Sequence, residues 1–375
     1  MRFFDLYRHR PLRITKGGHQ FSGPIQRILL IQLGDIGDLV LSIPTIRSLK
    51  ENYPSAHLTV AARDKAGDLM HLCPWADEVL PIKKEKLKLG AWIRKYVGLF
   101  RFLRSKQFDL AIDMRTGTRG GVLAFLSGAR IRMGYTALDD TWRNWLFTHL
   151  VYPPMNMTML HSTHYNLMLL NRYDLKLNPQ WPRLYIDELY AGRVDQLLLK
   201  ENVPKALPLI AIQPFSLWHY KEWGTDKFRR LIQHLLHAYD VGVLVCGAGS
   251  ERSRAAQMIS GMDGRKVFNM AGKTTIAEYA ALLAKCRLFI GCDSAGIHLA
   301  ASVQAKTAAI YGPTPSDSWA PREHGHIVIK KAMDCIPCHR KGCQDSGRSI
   351  CLEKLTTCEV IEKVESLLAE LAVLR

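Results

Sequence analysis

The sequence predicts an α/β protein made of two doubly wound, parallel-sheet domains, and three observations carry that expectation. The chain has 375 residues, more than one hydrophobic core usually serves. Short β-branched or apolar runs alternate with amphipathic stretches at helical spacing through both halves, the order that gives parallel strands covered by helices. Pro179, Pro182, Pro204 and Pro208 punctuate the stretch from Asn178 to Pro208, which marks the division between the halves.

The first half gives RILLIQL, a helix from about Asp38 to Asn52, then HLTVAA and FDLAID. The second gives LPLIAIQ, a helix from about Asp226 to Ala238, VGVLVCG, a helix from about Glu251, RLFIGC and KTAAIYG. Continuous apolar runs of this length suit strands buried on both faces. The N-terminal Rossmann-like domain is placed at 1–180 and the second at 205–355, with a final helix over 356–375 expected to pack back on the first domain. Thr356 and Glu359 have the spacing of a capping box at the start of that helix. Two such domains would face each other across a cleft, with ligands at the carboxyl ends of the strands.

Hydrophobic residues make up 47% of the chain, enough for two buried cores. No run approaches the roughly 20 apolar residues of a membrane span. The opening MRFFDLYRHRPLRITKGGHQ has no apolar stretch followed by a cleavage site, so no secretory signal is expected and the chain is placed in the cytoplasm. The formal charge of +17 attracts polyanions: nucleic acid, acidic lipid or phosphorylated glycans. No nucleic-acid-binding module is present in the pattern, so nucleic acid is not expected as a partner. KKEKLKLGAWIRKYVGLFRFLRSK, residues 83–106, reads as a helix with Leu89, Trp92, Ile93, Tyr96, Phe100 and Leu103 on one face and Arg94, Lys95 and Arg101 elsewhere. It suits equally a helix resting on an acidic membrane surface and one packed on a sheet with a solvated basic face.

LGDIGDLVLSIP, residues 33–44, sits where the first strand ends and a helix begins. Gly34 and Gly37 permit a tight turn, but the stretch is neither a dinucleotide G-x-G-x-x-G nor a P-loop. A carboxylate at a helix start repels phosphate, while the helix dipole keeps it ionised. Asp38 therefore has two readings, a helix cap or a general base for a substrate hydroxyl, with Asp35 the next candidate base. In the second half GCDSAGIHLAAS places Asp293, Ser294, Gly296 and His298 after the strand RLFIG, where backbone N–H groups at a helix start bind anions such as a diphosphate. CGAGSE, with Gly247 and Glu251, is a second strand-to-helix turn, and HYKEW supplies Lys221, a cation for a diphosphate or a solvated lysine. Arg115 and Arg119, after FDLAID, are candidate contacts for phosphates of an acceptor.

Together LGDIGDLVLSIPTIRSLKENYP, HYKEWGTDKFRRLI, GAGSE, NMAGKTTIAEYAALLAKCRLFIGCDSAGIHLAAS and YGPTPSDSWAP resemble glycosyltransferase family 9, the lipopolysaccharide heptosyltransferases, from about Arg27 onward. The resemblance implies a glycosyltransferase B-type fold and inverting transfer of heptose from ADP-heptose to an anionic inner-core lipopolysaccharide acceptor. It implies no catalytic metal or other cofactor, and a place on the inner face of the inner membrane. It makes Asp38 the catalytic base and assigns Lys221, Asp293, Ser294, Gly296, His298, Gly247 and Glu251 to the donor. Two departures are visible: Ala295 stands between Ser294 and Gly296, where many relatives have glycine directly, and Gln32 replaces an arginine. The rival readings are a nucleotide-sugar-binding protein without transfer activity and a nucleotide-sugar epimerase of the same fold.

CIPCHRKGCQDSGRSIC spaces Cys335, Cys338, Cys343 and Cys351 as C-x2-C-x4-C-x7-C. Four thiolates can close a tetrahedral structural zinc site. This is the favoured use, ahead of free thiols, with disulfides last in a reducing cytoplasm.

Overall fold

The apolar runs become strands in two units, Met1–Trp181 and Pro182–Arg375. In the first unit, β1 (Arg27–Gln32), β2 (His57–Arg63), β3 (Glu78–Ile82), β4 (Leu110–Asp113), β5 (Ile131–Tyr135) and β6 (His149–Val151) form a sheet in the order β3-β2-β1-β4-β5-β6. In the second, β7 (Leu209–Gln213), β8 (Gly242–Val245), β9 (Val267–Asn269), β10 (Cys286–Cys292), β11 (Lys306–Ile310) and β12 (His326–Ile329) lie in the order β12-β11-β10-β7-β8-β9. Every pairing is parallel. The computed structural model describes residues 21, 23–83, 89–137, 141–153, 160–171, 173 and 175–370.

Parallel neighbours need crossovers, which helices supply. The first unit has α1 (Ile36–Val40), α2 (Ile43–Asn52), α3 (Leu89–Ser105), α4 (Thr118–Ser127) and α5 (Ser162–Asn171). The second has α6 (Glu188–Lys200), α7 (Thr225–Ala238), α8 (Arg252–Ile259), α9 (Ile276–Ala284), α10 (Ala295–Ser302), α11 (Ser316–Trp319), α12 (Ile350–Lys354) and α13 (Thr357–Glu370). Leu29, Ile31, Ala111, Leu123 and Phe147 join the core of the first unit, and Ile210, Ile212, Phe228, Leu231 and Val243 that of the second. No helix among the described residues is long and apolar enough to cross a membrane.

Two expectations change. The helix expected from Asp38 to Asn52 is two helices, because Pro44 opens α2 and a proline ring clashes with the carbonyl four residues back in a continuing helix. The stretch read as a boundary contains α6, which packs against α9 in the second unit. Val360, Val364, Leu367 and Leu368 of α13 enter the core of the second unit with Ile232 of α7, and His234 of α7 meets Glu365 at 2.8 Å. The predicted capping box of α13 is present, with the Thr356 N–H donating to Glu359 Oε2 at 2.8 Å and the Glu359 N–H to Thr356 Oγ1 at 3.3 Å. Residues 371–375 lie outside the described residues.

In each sheet the strand order reverses at its first strand, between β1 and β4 and between β7 and β10. Such a switch point opens a crevice at the carboxyl ends of the strands.

Candidate active site

At the switch point of the first sheet, Asp38 stands in the first turn of α1, which follows β1, and Arg115 follows the end of β4. Arg115 Nη1 donates to Asp38 Oδ2 at 2.9 Å. The same oxygen accepts the N–H of Asp35, the N-cap of α1, at 2.8 Å. Asp38 thus satisfies an orphan helix donor and keeps one oxygen in an ion pair, so the cap and charged-site readings coexist. A Cβ at Gly34 would collide with both Asp38 and Arg115, which makes glycine the residue that lets the pair close over the turn. Asp35 turns instead to Arg63, 2.6 Å away. Gln32 braces the turn from beneath, accepting the Gly34 N–H at 3.1 Å and donating to Ser42 Oγ at 2.7 Å. Arg119 is exposed in the first turn of α4.

Sequence reasoning missed what holds Arg115. Asp113, the last residue of β4, is 1% exposed and Arg143 is fully buried. Arg143 Nη2 donates to Asp113 Oδ2 at 2.6 Å and to Arg115 O at 2.6 Å, Nη1 to Tyr135 O at 2.8 Å and Nε to Gly117 O at 3.1 Å. Asp113 Oδ1 accepts the Arg115 N–H at 3.1 Å. Burial pushes the Asp113 carboxyl up to about 6, against the pull of the Arg143 guanidinium and the Arg115 N–H.

The second switch point repeats the pattern with the charges exchanged. Lys221, on the loop after β7, donates to Asp293 Oδ2 at the end of β10 at 2.6 Å, both side chains being largely buried. Trp223 anchors that loop: it is 2% exposed, and its Nε1 donates to Leu355 O at 2.8 Å. Ser349 Oγ just before α12 donates to Tyr220 O at 2.6 Å, so the tail braces the lysine segment. Ser294 is the N-cap of α10, and its Oγ is buried without a hydrogen-bond partner, as is Tyr311 Oη. Burial and the neighbouring Asp293 push the Tyr311 hydroxyl well up. Two orphan hydroxyls at an ion pair and a helix start fit a polar ligand, since such groups are otherwise costly to bury.

The remaining donor-side residues shape the floor. A Cβ at Gly296 would collide with Gln213 Oε1, which accepts the Tyr279 hydroxyl at 2.7 Å. His298 is buried on α10. A Cβ at Gly247 would meet Glu251 Oε2 at 2.6 Å, and that oxygen accepts the Ala248 N–H at 2.6 Å. Burial raises the Glu251 carboxyl. Glu222, also missed, gathers the Ser216 N–H at 3.2 Å, His219 at 3.1 Å and Arg254 Nη1 at 3.2 Å, while the Arg254 guanidinium lies 4.4 Å over the Phe215 ring. An acid beside Lys221 in HYKEW was the available signal.

A family model described as glycosyltransferase family 9 (heptosyltransferase) matches residues 96–347. The chain belongs to glycosyltransferase family 9. It is 28% identical over 305 residues to lipopolysaccharide heptosyltransferase 3 of Escherichia coli, covering 78% of this chain and 85% of that one. Its fold is similar to that of the E. coli ADP-heptose lps heptosyltransferase II, with a TM-score of 0.77 and 20% identity over 92% of this chain and 99% of that one. A family 9 glycosyltransferase from Veillonella parvula gives a TM-score of 0.79 at 18% identity, covering 95% and 99% of the two chains. The glycosyltransferase B-type fold is shown by these likenesses.

The four clustered cysteines of this family 9 enzyme lie on the segment that runs from β12 into α12. Among the described residues no three His, Cys, Asp or Glu side chains are grouped to hold a metal ion. Cys335 is exposed, Cys338 and Cys343 are half-buried, and Cys351 is buried in the core of the second unit. The loop closes on itself: the Cys343 N–H donates to Arg348 O at 2.7 Å, the Gly347 N–H to Lys341 O at 2.9 Å, and Cys343 Sγ accepts the Ile350 N–H at 3.4 Å. Burial, with Cys343 and Cys338 nearby, raises the Cys351 thiol, and clustered thiols are the usual ligands of a structural zinc.

Proposed function

We propose that this family 9 glycosyltransferase transfers heptose from ADP-heptose to a hydroxyl of an inner-core lipopolysaccharide acceptor, with inversion at the anomeric carbon. The observation that carries the reading is the carboxylate of Asp38, held at a switch point by the Asp35 N–H and by Arg115. Asp38 takes the proton of the attacking acceptor hydroxyl as the new glycosidic bond forms and the bond to the diphosphate breaks. ADP leaves with the electron pair. Displacement at an anomeric carbon passes through an oxocarbenium-like state, so stabilising the leaving group matters as much as the base. Lys221 and the N–H groups that begin α10 meet the diphosphate charge without a catalytic metal, and Asp293 accepts hydroxyls of the donor.

Arg115 and Arg119 contact acceptor phosphates, and the enzyme works peripherally on the inner face of the inner membrane. The E. coli relatives named for lipopolysaccharide heptosyl transfer support the substrate class. Incubation with ADP-heptose and truncated core lipids, following ADP release and the anomeric configuration of the product, tests the reading. ADP release only in the presence of acceptor and an inverted product are expected. No acceptor-dependent release, or retention of configuration, overturns it.

A further inference from the structure

In the first unit α3, α4 and the short helical stretch Thr141–Leu146 pack side by side, α3 on α4 and α4 on that stretch. None of the three carries an Asp or Glu. Within Thr141–Leu146, Arg143 and Asn144 are buried, Asn144 exchanging hydrogen bonds of 3.0 Å with the N–H and C=O of Ala137. In a 3₁₀ turn residues three apart lie on one side. With Arg143 and Asn144 turned inward, Trp142 and Trp145 are left outward, 54% and 63% exposed.

Phe125 on α4 and Val97, Phe100 and Phe102 on α3 are exposed as well. Cations interleave with these rings: Arg104 lies 5.2 Å from the Phe100 ring, Lys106 5.1 Å from Phe102 and Arg132 5.7 Å from Phe125. Arg94 and Arg101 are exposed on the same helix. The packed side of α3 is Leu99 and Leu103, so this is a helix seated on its own unit whose outer surface remains aromatic and basic. The side chains at 89, 91–93 and 95 lie outside the described residues.

We propose that this surface is the seat of an anionic bilayer, with Trp142 and Trp145 as its interfacial anchors. Large exposed apolar patches are rare on proteins that meet only water. Trp is the side chain that prefers the headgroup layer, with an apolar body and one N–H donor. Basic side chains beside it add attraction to acidic headgroups. No carboxylate on these three elements opposes it; Asp139 and Asp140 precede the last of them in the sequence. The proposal deepens the proposed function, since it rests on a lipid-anchored acceptor.

The test uses the full chain and vesicles of phosphatidylcholine, with or without phosphatidylglycerol, read by flotation in the absence of donor and acceptor. Wild type should float with the acidic vesicles and be released as salt shortens screening below the 8 to 10 Å of ordinary buffers. Trp142→Ala/Trp145→Ala, with an unchanged thermal transition, should weaken binding on the order of tenfold or more. Arg94→Glu/Arg101→Glu should weaken it on acidic vesicles only. Equal binding to neutral and acidic vesicles, wild-type binding by the tryptophan variant, no flotation of the wild type, or a dimer that the tryptophan variant dissociates would each overturn the proposal. A chain that floats but transfers no heptose keeps this surface and loses the enzymatic reading. One that glycosylates a soluble truncated acceptor but does not float loses the surface alone.

Discussion

Replacing Asp113 by Asn tests whether Arg143 and Arg115 are held as described. The change keeps the side chain's shape and removes its charge. Both oxygens are in use, Oδ1 by the Arg115 N–H and Oδ2 by Arg143 Nη2, and an amide offers only one acceptor. Either the Arg115 N–H or the guanidinium must then face an NH₂ group, and a fully buried guanidinium loses its counter-ion. Removing one partner of a buried pair costs about 3 to 5 kcal/mol. Arg143 keeps the carbonyls of Gly117, Tyr135 and Arg115, which places the loss near the lower figure. For a unit of this size each kcal/mol moves the melting temperature by about 2 to 4 °C, so a fall of roughly 6 to 12 °C is expected in the transition of the first unit.

Calorimetry and urea unfolding at pH 8, where the carboxyl is ionised, measure it. A loss below about 1 kcal/mol would refute the reasoning, because such losses belong to exposed ion pairs. The companion variant Asp113→Leu/Arg143→Met sharpens the case. Replacing a buried ion pair by apolar residues is often neutral. Here three backbone carbonyls would lose their donor at about 1 kcal/mol or more each, so the double variant should remain destabilised by about 3 kcal/mol. Neutrality would mean that those carbonyls find other donors.

Asp38→Asn should lower kcat by roughly 10² to 10⁴ with ADP-heptose binding by calorimetry close to wild type; near-normal turnover would move the base to Asp35. Lys221→Ala and Asp293→Ala should each raise the donor KM more than the acceptor KM, and a change confined to the acceptor would remove both from the donor site. Tyr311→Phe should stabilise the unliganded protein by about 1 kcal/mol, by deleting a buried hydroxyl without a partner, while weakening donor binding; stabilisation with unchanged affinity would show that the hydroxyl serves no ligand. Burial, with Lys306, Arg183 and His324 nearby, holds His326 down at about 4, below its unfolded value near 6.5. Its contribution is therefore complete above about pH 6.5 and is lost as pH falls toward 4, by up to roughly 3 kcal/mol; His326→Asn should flatten that part of the stability profile, and an unchanged profile would count against a neutral buried ring.

The two sheets were legible because parallel strands are buried on both faces. RILLIQL, LPLIAIQ and RLFIGC leave little choice of element, and the alternation with helices fixes the class. The turn LGDIGD was legible for a related reason, glycine and acid together at a strand end. Asp113 and Arg143 were not. They lie on different elements, β4 and the stretch after β5, and only the register of β4 with β5 brings them together. Nothing local to TWRNWL distinguishes a buried arginine from a solvated one. The cysteine spacing says nothing of depth: Cys351 is drawn into the core beside Leu352 and Leu355, with Cys343 and Cys338 near enough to raise its thiol further.

Each switch point holds an acid and a base in contact, and on the proposed function the second pair constrains how the donor's diphosphate binds. Lys221 already spends a bond on Asp293, and a carboxylate beside a diphosphate is repulsive at any dielectric a protein offers. If Asp293 faced the phosphates, the lysine could at best cancel it. The arrangement becomes productive when Asp293 accepts donor hydroxyls and Lys221 lies between it and the phosphates, one cation shared by two anions. The further donors the diphosphate needs must then come from groups that Asp293 does not neutralise. Ser294 Oγ, buried without a partner at the start of α10, and the helix N–H groups beside it are such donors, and the macrodipole favours an anion there. On the proposed reading, Asp293 orients the sugar side of the donor while the start of α10 carries much of the leaving-group charge, so Asp293→Asn should be milder than Asp293→Ala.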